Sequence, residues 1–115
     1  MNLYLKFAFL GEHGDITIIL NGGEKIFAHY LVLFARCKEI CDEVIDTNGS
    51  KYLEIWSHLP KNVVLSFLSY LYCGKLDLEL DTSDDLDAAR YFNHAYPNLE
   101  IWRSYRLENY NDQTS

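Results

Sequence analysis

Basic residues are scarce in this sequence, and long apolar runs are missing. The chain has ten Lys and Arg residues against seventeen Asp and Glu, so its formal net charge is −7. Because an acidic chain without a Lys/Arg run repels phosphates and anionic lipids, we expect no direct nucleic-acid binding and no membrane binding. No segment approaches the roughly 18 consecutive apolar residues that a membrane-spanning helix needs.

Cysteine and histidine are also rare. The three cysteines, Cys37, Cys41 and Cys73, form no CxxC pair, and their odd number argues against a disulfide framework. We expect free, largely shielded thiols in a reducing compartment. Cys37 and Cys41 could share a helix face, but the four histidines lie in different predicted elements, so we expect no metal site and no cofactor.

The chain is rich in apolar and aromatic residues. Among its 115 residues, 49% are hydrophobic and 15% are aromatic. This is enough for one hydrophobic core, and no linker or internal repeat divides the sequence. We therefore expect a single domain over residues 1–115.

The first third of the chain predicts a hairpin followed by helices. Asp15–Leu20 is β-branched and apolar, Asn21–Gly23 is a turn signal, and Glu24–His29 forms the second strand. Tyr30–Val44 has helical spacing of its apolar residues, which indicates two short helices with a break near 36–38.

The rest of the chain predicts more helix than strand. Residues 46–50 have the composition of a loop, and Tyr52–Trp56 resembles a third short strand. Pro60–Gly74 predicts the longest helix, with proline at its start and glycine at its end.

Three further elements complete the predicted order. Lys75–Leu80 alternates polar and apolar residues, which is typical of an edge strand. Thr82 is a candidate N-cap for the next helix, and Pro97 opens a last one. The predicted fold class is therefore α+β.

Three ordered motifs resemble the BTB/POZ domain: residues 14–18, Phe27–Cys37 and Phe67–Leu76. The resemblance implies a small sheet of short strands flanked by a cluster of about five or six helices. It covers a core of about residues 15–107, and residues 109–115 are expected to be a frayed tail. In the family, a segment such as residues 1–14 takes part in dimerisation.

The stretch Leu31–Cys37 is most similar to the BTB domain of a scaffold protein that assembles structure-specific DNA endonucleases. This resemblance implies a homodimerising module of a larger nuclear scaffold in DNA repair and recombination. The alternatives are a cullin ubiquitin-ligase adaptor and a dimerisation domain of a transcription regulator. Tyr30 stands where many members carry Lys or Arg, which argues against the charged pocket of the repressors.

The resemblance also implies a dimer interface. In BTB domains that dimerise, the N-terminal segment and the first helix after the His turn pack across a two-fold axis, which points here to Leu3, Phe7, Leu10, Leu31 and Phe34. Leu3, Phe7 and Leu10 fit a helical stripe, and the same segment also fits a strand. The alternative is that Leu31 and Phe34 are ordinary core residues.

Catalysis is not expected. Asp15 and His29 would lie on neighbouring strand ends, where a carboxylate could orient a histidine base. No nucleophile completes such a group, because no serine has a Gly-x-Ser-x-Gly context. We therefore expect a non-enzymatic protein.

Overall fold

The computed structural model of the protein describes residues 14–74, 80 and 82–99. This part of the chain contains four strands, four α-helices and two 3-10 turns. In chain order the strands and α-helices are β1 (Ile16–Ile19), β2 (Lys25–Ala28), α1 (Tyr30–Arg36), α2 (Lys38–Cys41), β3 (Ile45–Thr47), β4 (Ser50–Leu53), α3 (Lys61–Cys73) and α4 (Ser83–Ala95). The 3-10 turns are Asn21–Gly23 and Pro97–Leu99.

The four strands form one mixed sheet in the order β2-β1-β4-β3. β1 is antiparallel to β2 and parallel to β4, whereas β3 and β4 form an antiparallel hairpin. Ile18 of β1 lies opposite Ile26 on one side and Leu53 on the other. Because residues paired across strands share a face, this row points into the core, where Ile18 and Leu53 are fully buried.

An aromatic cluster joins the segment after β4 to the two long helices. Phe67 of α3 and Phe92 of α4 stack with ring centroids 4.2 Å apart. The Trp56 ring packs edge-on against both of them, at 5.3 Å each. Buried aromatic rings supply the largest apolar areas in a core, so this cluster fixes the position of α3 against α4.

The long helices begin and end where their sequence signals predict. Pro60 directly precedes α3, and Gly74 closes it with a positive φ of 74° and a hydrogen bond from its N–H to the Tyr70 carbonyl. The Thr82 side chain accepts a hydrogen bond from the N–H of Asp85 at the start of α4. The first hairpin and the break between α1 and α2 are also confirmed.

The predicted loop at residues 46–50 is wrong. Asn48 and Gly49 form a tight turn with φ values of 54° and 87°, and the residues on either side belong to β3 and β4. Two successive left-handed residues match the twist of a two-residue hairpin. The predicted strand Tyr52–Trp56 is shifted for the same reason, because β4 already begins at Ser50 and ends at Leu53.

The α+β class is confirmed, but the described residues contain four α-helices instead of five or six. The helix expected from Pro97 is a 3-10 turn over its first three residues. The predicted strand Lys75–Leu80 falls almost wholly outside the described residues, as do residues 100–115. Within the described ranges, none of the helices has both the length and the apolar character to cross a membrane.

Candidate functional site

One side of α1 is apolar and exposed. Leu31 is 75% exposed and Phe34 is 51% exposed, whereas Leu33 between them is fully buried. Ala35 is exposed as well, so three apolar residues at helical i, i+3 and i+4 positions face outward. We call Leu31, Phe34 and Ala35 the α1 face. The alternative that Leu31 and Phe34 belong to the core is therefore wrong.

The start of α1 is fixed by the residue directly before the first strand. The Asp15 carboxylate accepts a hydrogen bond from the backbone N–H of Tyr30 at 2.8 Å. This N–H belongs to the first helical turn, whose donors have no partner within the helix. The neighbouring N–H groups of Val32 and Leu33 both bond to the His29 carbonyl.

A second anchor ties the same point to α3. The backbone N–H of His29 donates to the Tyr72 hydroxyl at 2.9 Å, and the His29 Nδ1 atom lies 2.7 Å from that hydroxyl. Burial raises the pKa of Tyr72 to about 12, so the hydroxyl stays protonated at neutral pH. The start of the α1 face is thus held by both the sheet and the core helix.

The Phe34 ring is supported from one side. It stacks on the Tyr30 ring with centroids 6.4 Å apart and an angle of 21° between the planes. The Lys51 ammonium lies 5.6 Å from the centre of the Tyr30 ring, within the range of a cation–π contact. The hydrogen bond between the Tyr30 hydroxyl and the Cys41 thiol raises the pKa of Tyr30.

The end of α1 is also defined. The N–H of Cys37 donates to the Leu33 carbonyl at 2.7 Å, and Cys37 then leaves the helical conformation with φ −158° and ψ 87°. Two shallow grooves of about 310 and 320 Å³ lie at this helix end, and Ala35 and Arg36 line both. The α1 face therefore borders both grooves through Ala35.

The outer side of the sheet carries further apolar residues that sequence reasoning missed. Phe27, Thr17, Tyr52 and Ile45 are paired across the four strands and share the face opposite Ile18. Phe27 is 46% exposed and Ile45 is 44% exposed. The missed β3–β4 hairpin hid this row, because Ile45 and Tyr52 join it only when β3 and β4 are placed beside β1.

A protein-family comparison decides the identity of the fold. The model of the BTB/POZ domain matches residues 6–98, which is most of the chain. The chain belongs to the BTB/POZ domain family. This is a family of non-enzymatic protein–protein interaction domains, whose members commonly homodimerise and bind partner proteins. No curated protein matches the chain significantly.

In this BTB/POZ domain the two residues considered for catalysis serve different contacts. Asp15 caps α1 through Tyr30, and His29 contacts Tyr72. Over the ranges that the structure describes, no group of three or more His, Cys, Asp or Glu residues could hold a metal ion. Each described contact of Asp15 and His29 stabilises the fold around the α1 face.

The predicted interface residues are only partly visible. Leu31 and Phe34 lie on one exposed side of α1, as an interface requires. Leu3, Phe7 and Leu10 lie outside the described residues. Leu31 and Phe34 are therefore the described part of the predicted interface, and Ala35 is an exposed neighbour that was not predicted.

Proposed function

We propose that this BTB/POZ domain self-associates across a two-fold axis through the α1 face. The observation that carries the proposal is the 75% exposure of Leu31 next to the 51% exposure of Phe34 on a rigidly anchored helix. Exposed large apolar residues grouped on one side of an element are typical of interaction sites. Two copies of the domain then bring together two copies of whatever else the parent protein carries.

No acidic side chain of α1 opposes this contact. α1 contains no acidic residue, although the whole chain has a net charge of −7. Two α1 faces can therefore approach without carboxylates facing each other. The anchors at Asp15 and Tyr72 keep the helix in place before association, which lowers the entropy cost of binding.

A two-fold contact uses each residue twice. At roughly 25 cal/mol per Å² of apolar area, truncating one large side chain in both copies would weaken the dimer by about 3 to 6 kcal/mol. This is a loss of about two to four powers of ten in affinity. One substitution on the α1 face is thus enough to separate the copies.

The test is the oligomeric state of Leu31→Arg, measured by multi-angle light scattering and sedimentation velocity. We expect the unsubstituted protein to be a dimer and Leu31→Arg to be a monomer with an unchanged far-UV circular dichroism spectrum. Ile45→Arg is the matched control, because it places the same charge on an apolar residue exposed to 44% at the outer edge of the sheet. An unsubstituted protein that is monomeric at tens of micromolar would refute the proposal.

For the parent protein we propose a nuclear scaffold that assembles DNA repair and recombination nucleases. The support is the similarity of Leu31–Cys37 to the BTB domain of such a scaffold, with Arg36–Cys37 in place of the commoner Arg-Ser. Dimerisation would raise the local concentration of tethered nucleases at branched DNA. The test is whether the full-length protein purified from nuclei carries nuclease activity on branched DNA, and whether Leu31→Arg reduces it. A cytosolic protein without such activity contradicts this part.

A further inference from the structure

The tip of the β3–β4 hairpin places an asparagine directly before a glycine. Asn48 and Gly49 are both exposed, and both have positive φ, at 54° and 87°. Apart from Gly49 and its two chain neighbours, no described atom lies within 4 Å of the position that a Cβ on Gly49 would occupy. The tip of the hairpin is therefore open on that side.

An Asn-Gly pair can react with itself. The Gly nitrogen, once it has lost its proton, attacks the side-chain amide carbon of Asn. A carbon–nitrogen bond closes the succinimide ring, and the side-chain nitrogen leaves as ammonia with a proton from water. Water then opens the ring at either carbonyl and gives aspartate or isoaspartate. Water is the only co-reactant, and no oxidation or reduction takes place.

The reacting nitrogen of this pair is engaged in the folded hairpin. The Gly49 N–H donates to the Asp46 Oδ1 atom at 3.0 Å. A carboxylate acceptor stabilises the N–H and makes loss of its proton harder, because the amide anion would form beside an existing negative charge. Lys51 lies 3.8 Å from the other Asp46 oxygen and keeps this carboxylate at the turn.

We propose that Asn48 is a site of spontaneous deamidation, and that the Asp46 carboxylate slows this reaction for as long as the β3–β4 hairpin is folded. Reaction in the native protein then requires local opening of the hairpin, as for other chemistry of locally unfolded segments. The modification is expected in aged protein and in protein whose hairpin is destabilised.

The product would alter the outer edge of the sheet. Isoaspartate adds a methylene to the main chain between Thr47 and Ser50, which are paired at the end of the hairpin. A longer main chain does not fit a two-residue turn. Both products also add a negative charge close to Asp46. This inference does not depend on self-association, because the hairpin lies outside the α1 face.

The experiment is a time course of deamidation at neutral pH, followed by mass spectrometry of the tryptic fragment Glu39–Lys51. Asn48 is the only asparagine in that fragment, so a mass increase of about 1 Da reports on this site. We expect the folded domain to react at least about tenfold more slowly than an unstructured peptide of the same sequence, since the bond to a charged acceptor must be broken first.

Two variants separate the role of Asp46 from general effects of charge. Asp46→Ala is expected to accelerate the reaction about tenfold in the folded domain but not in the peptide. Glu54→Ala is the matched control, because it removes one exposed carboxylate after β4 and leaves the turn intact. It should leave the rate unchanged. An Asp46→Ala domain that reacts as slowly as the unsubstituted one would overturn the proposal.

Hydrogen exchange tests the same point without a substitution. If the Gly49 N–H is held by Asp46, its exchange in the unsubstituted protein is slower than in the peptide. Equal exchange rates, or equal deamidation rates in the domain and the peptide, would each refute the proposal, even if Asp46→Ala fails to keep the hairpin folded.

Discussion

The Tyr72 hydroxyl lies 2.9 Å from the backbone nitrogen of His29 and 2.7 Å from the Nδ1 atom of its ring. These residues are 43 positions apart in the chain, so one hydroxyl joins the end of β2 to the core helix α3. The link lies directly beneath the start of α1. Its strength therefore bears on the position of the α1 face as well as on overall stability.

Tyr72→Phe should lower the free energy of unfolding by about 1–3 kcal/mol, because the His29 N–H loses this acceptor while the ring still fills its site. Urea denaturation followed by circular dichroism measures the change. Tyr52→Phe serves as a control on the outer side of the sheet, where the ring is half-buried. A Tyr72→Phe variant as stable as the parent would show that the hydrogen bond contributes nothing.

The same hydroxyl predicts a dependence on alkaline pH. Burial raises the pKa of Tyr72 from 10.0 to about 12 in the folded state. The unfolded chain loses its phenol proton first, so the contribution of Tyr72 is fully present below pH 10 and is lost as pH rises to about 12. The difference in stability between the parent and Tyr72→Phe should therefore shrink as the pH rises through this window. A constant difference across it would contradict the assignment.

Phe67→Ala and Phe34→Ala compare a buried ring with an exposed one. Phe67 is fully buried between Phe92 and Trp56, so its truncation should lower the free energy of unfolding of the domain by about 3–5 kcal/mol. Phe34 is 51% exposed, and its truncation should lower the free energy of unfolding of the isolated monomer by less than about 1 kcal/mol. The comparison is made by urea denaturation in the monomeric Leu31→Arg background. Equal losses would show that Phe34 is a core residue after all.

The thiols should differ in their reaction with an alkylating reagent. Cys37 is buried, whereas Cys41 and Cys73 are half-buried. Burial raises the pKa of Cys37, which lowers its thiolate fraction near neutral pH and adds to the steric protection. Labelling of the native protein followed by peptide mass spectrometry should therefore find Cys37 the slowest of the three. Rapid labelling of Cys37 would contradict its placement.

Much of the fold is predictable from the sequence because its signals are local. Each of these signals acts within a few residues. They are the residue patterns of Asp15–Leu20 and Glu24–His29, the proline and glycine around α3, and the Thr82 cap. The β3–β4 hairpin was missed because the polar composition of residues 46–50 predicts a loop, where the structure has a tight turn between two strand ends. Asn48–Gly49 was the available signal, since this dipeptide favours the turn that joins two strands directly.

The candidate site was harder to predict. Periodicity places Leu31 and Phe34 on one side of a helix but cannot say whether that side faces the core, because both locations suit Leu and Phe. The resemblance to BTB/POZ domains favoured the exposed location. The Tyr72 link to His29 had no sequence signal at all, because a hydrogen bond across 43 residues depends on the packing of α3 against α1.

The parallel pairing of β1 with β4 has a consequence for the order in which a growing chain can fold. β1 and β2 can pair as soon as the first hairpin has left the ribosome, but the other side of β1 waits for β4, whose register partner for Ile16 is Lys51. Until β4 has been synthesised, after α1, α2 and β3, that side of β1 lacks its partner strand. A ribosome that pauses within this interval would leave the apolar strand β1 available to neighbouring chains. The speed of translation between the codons of β2 and those of β4 would therefore affect aggregation.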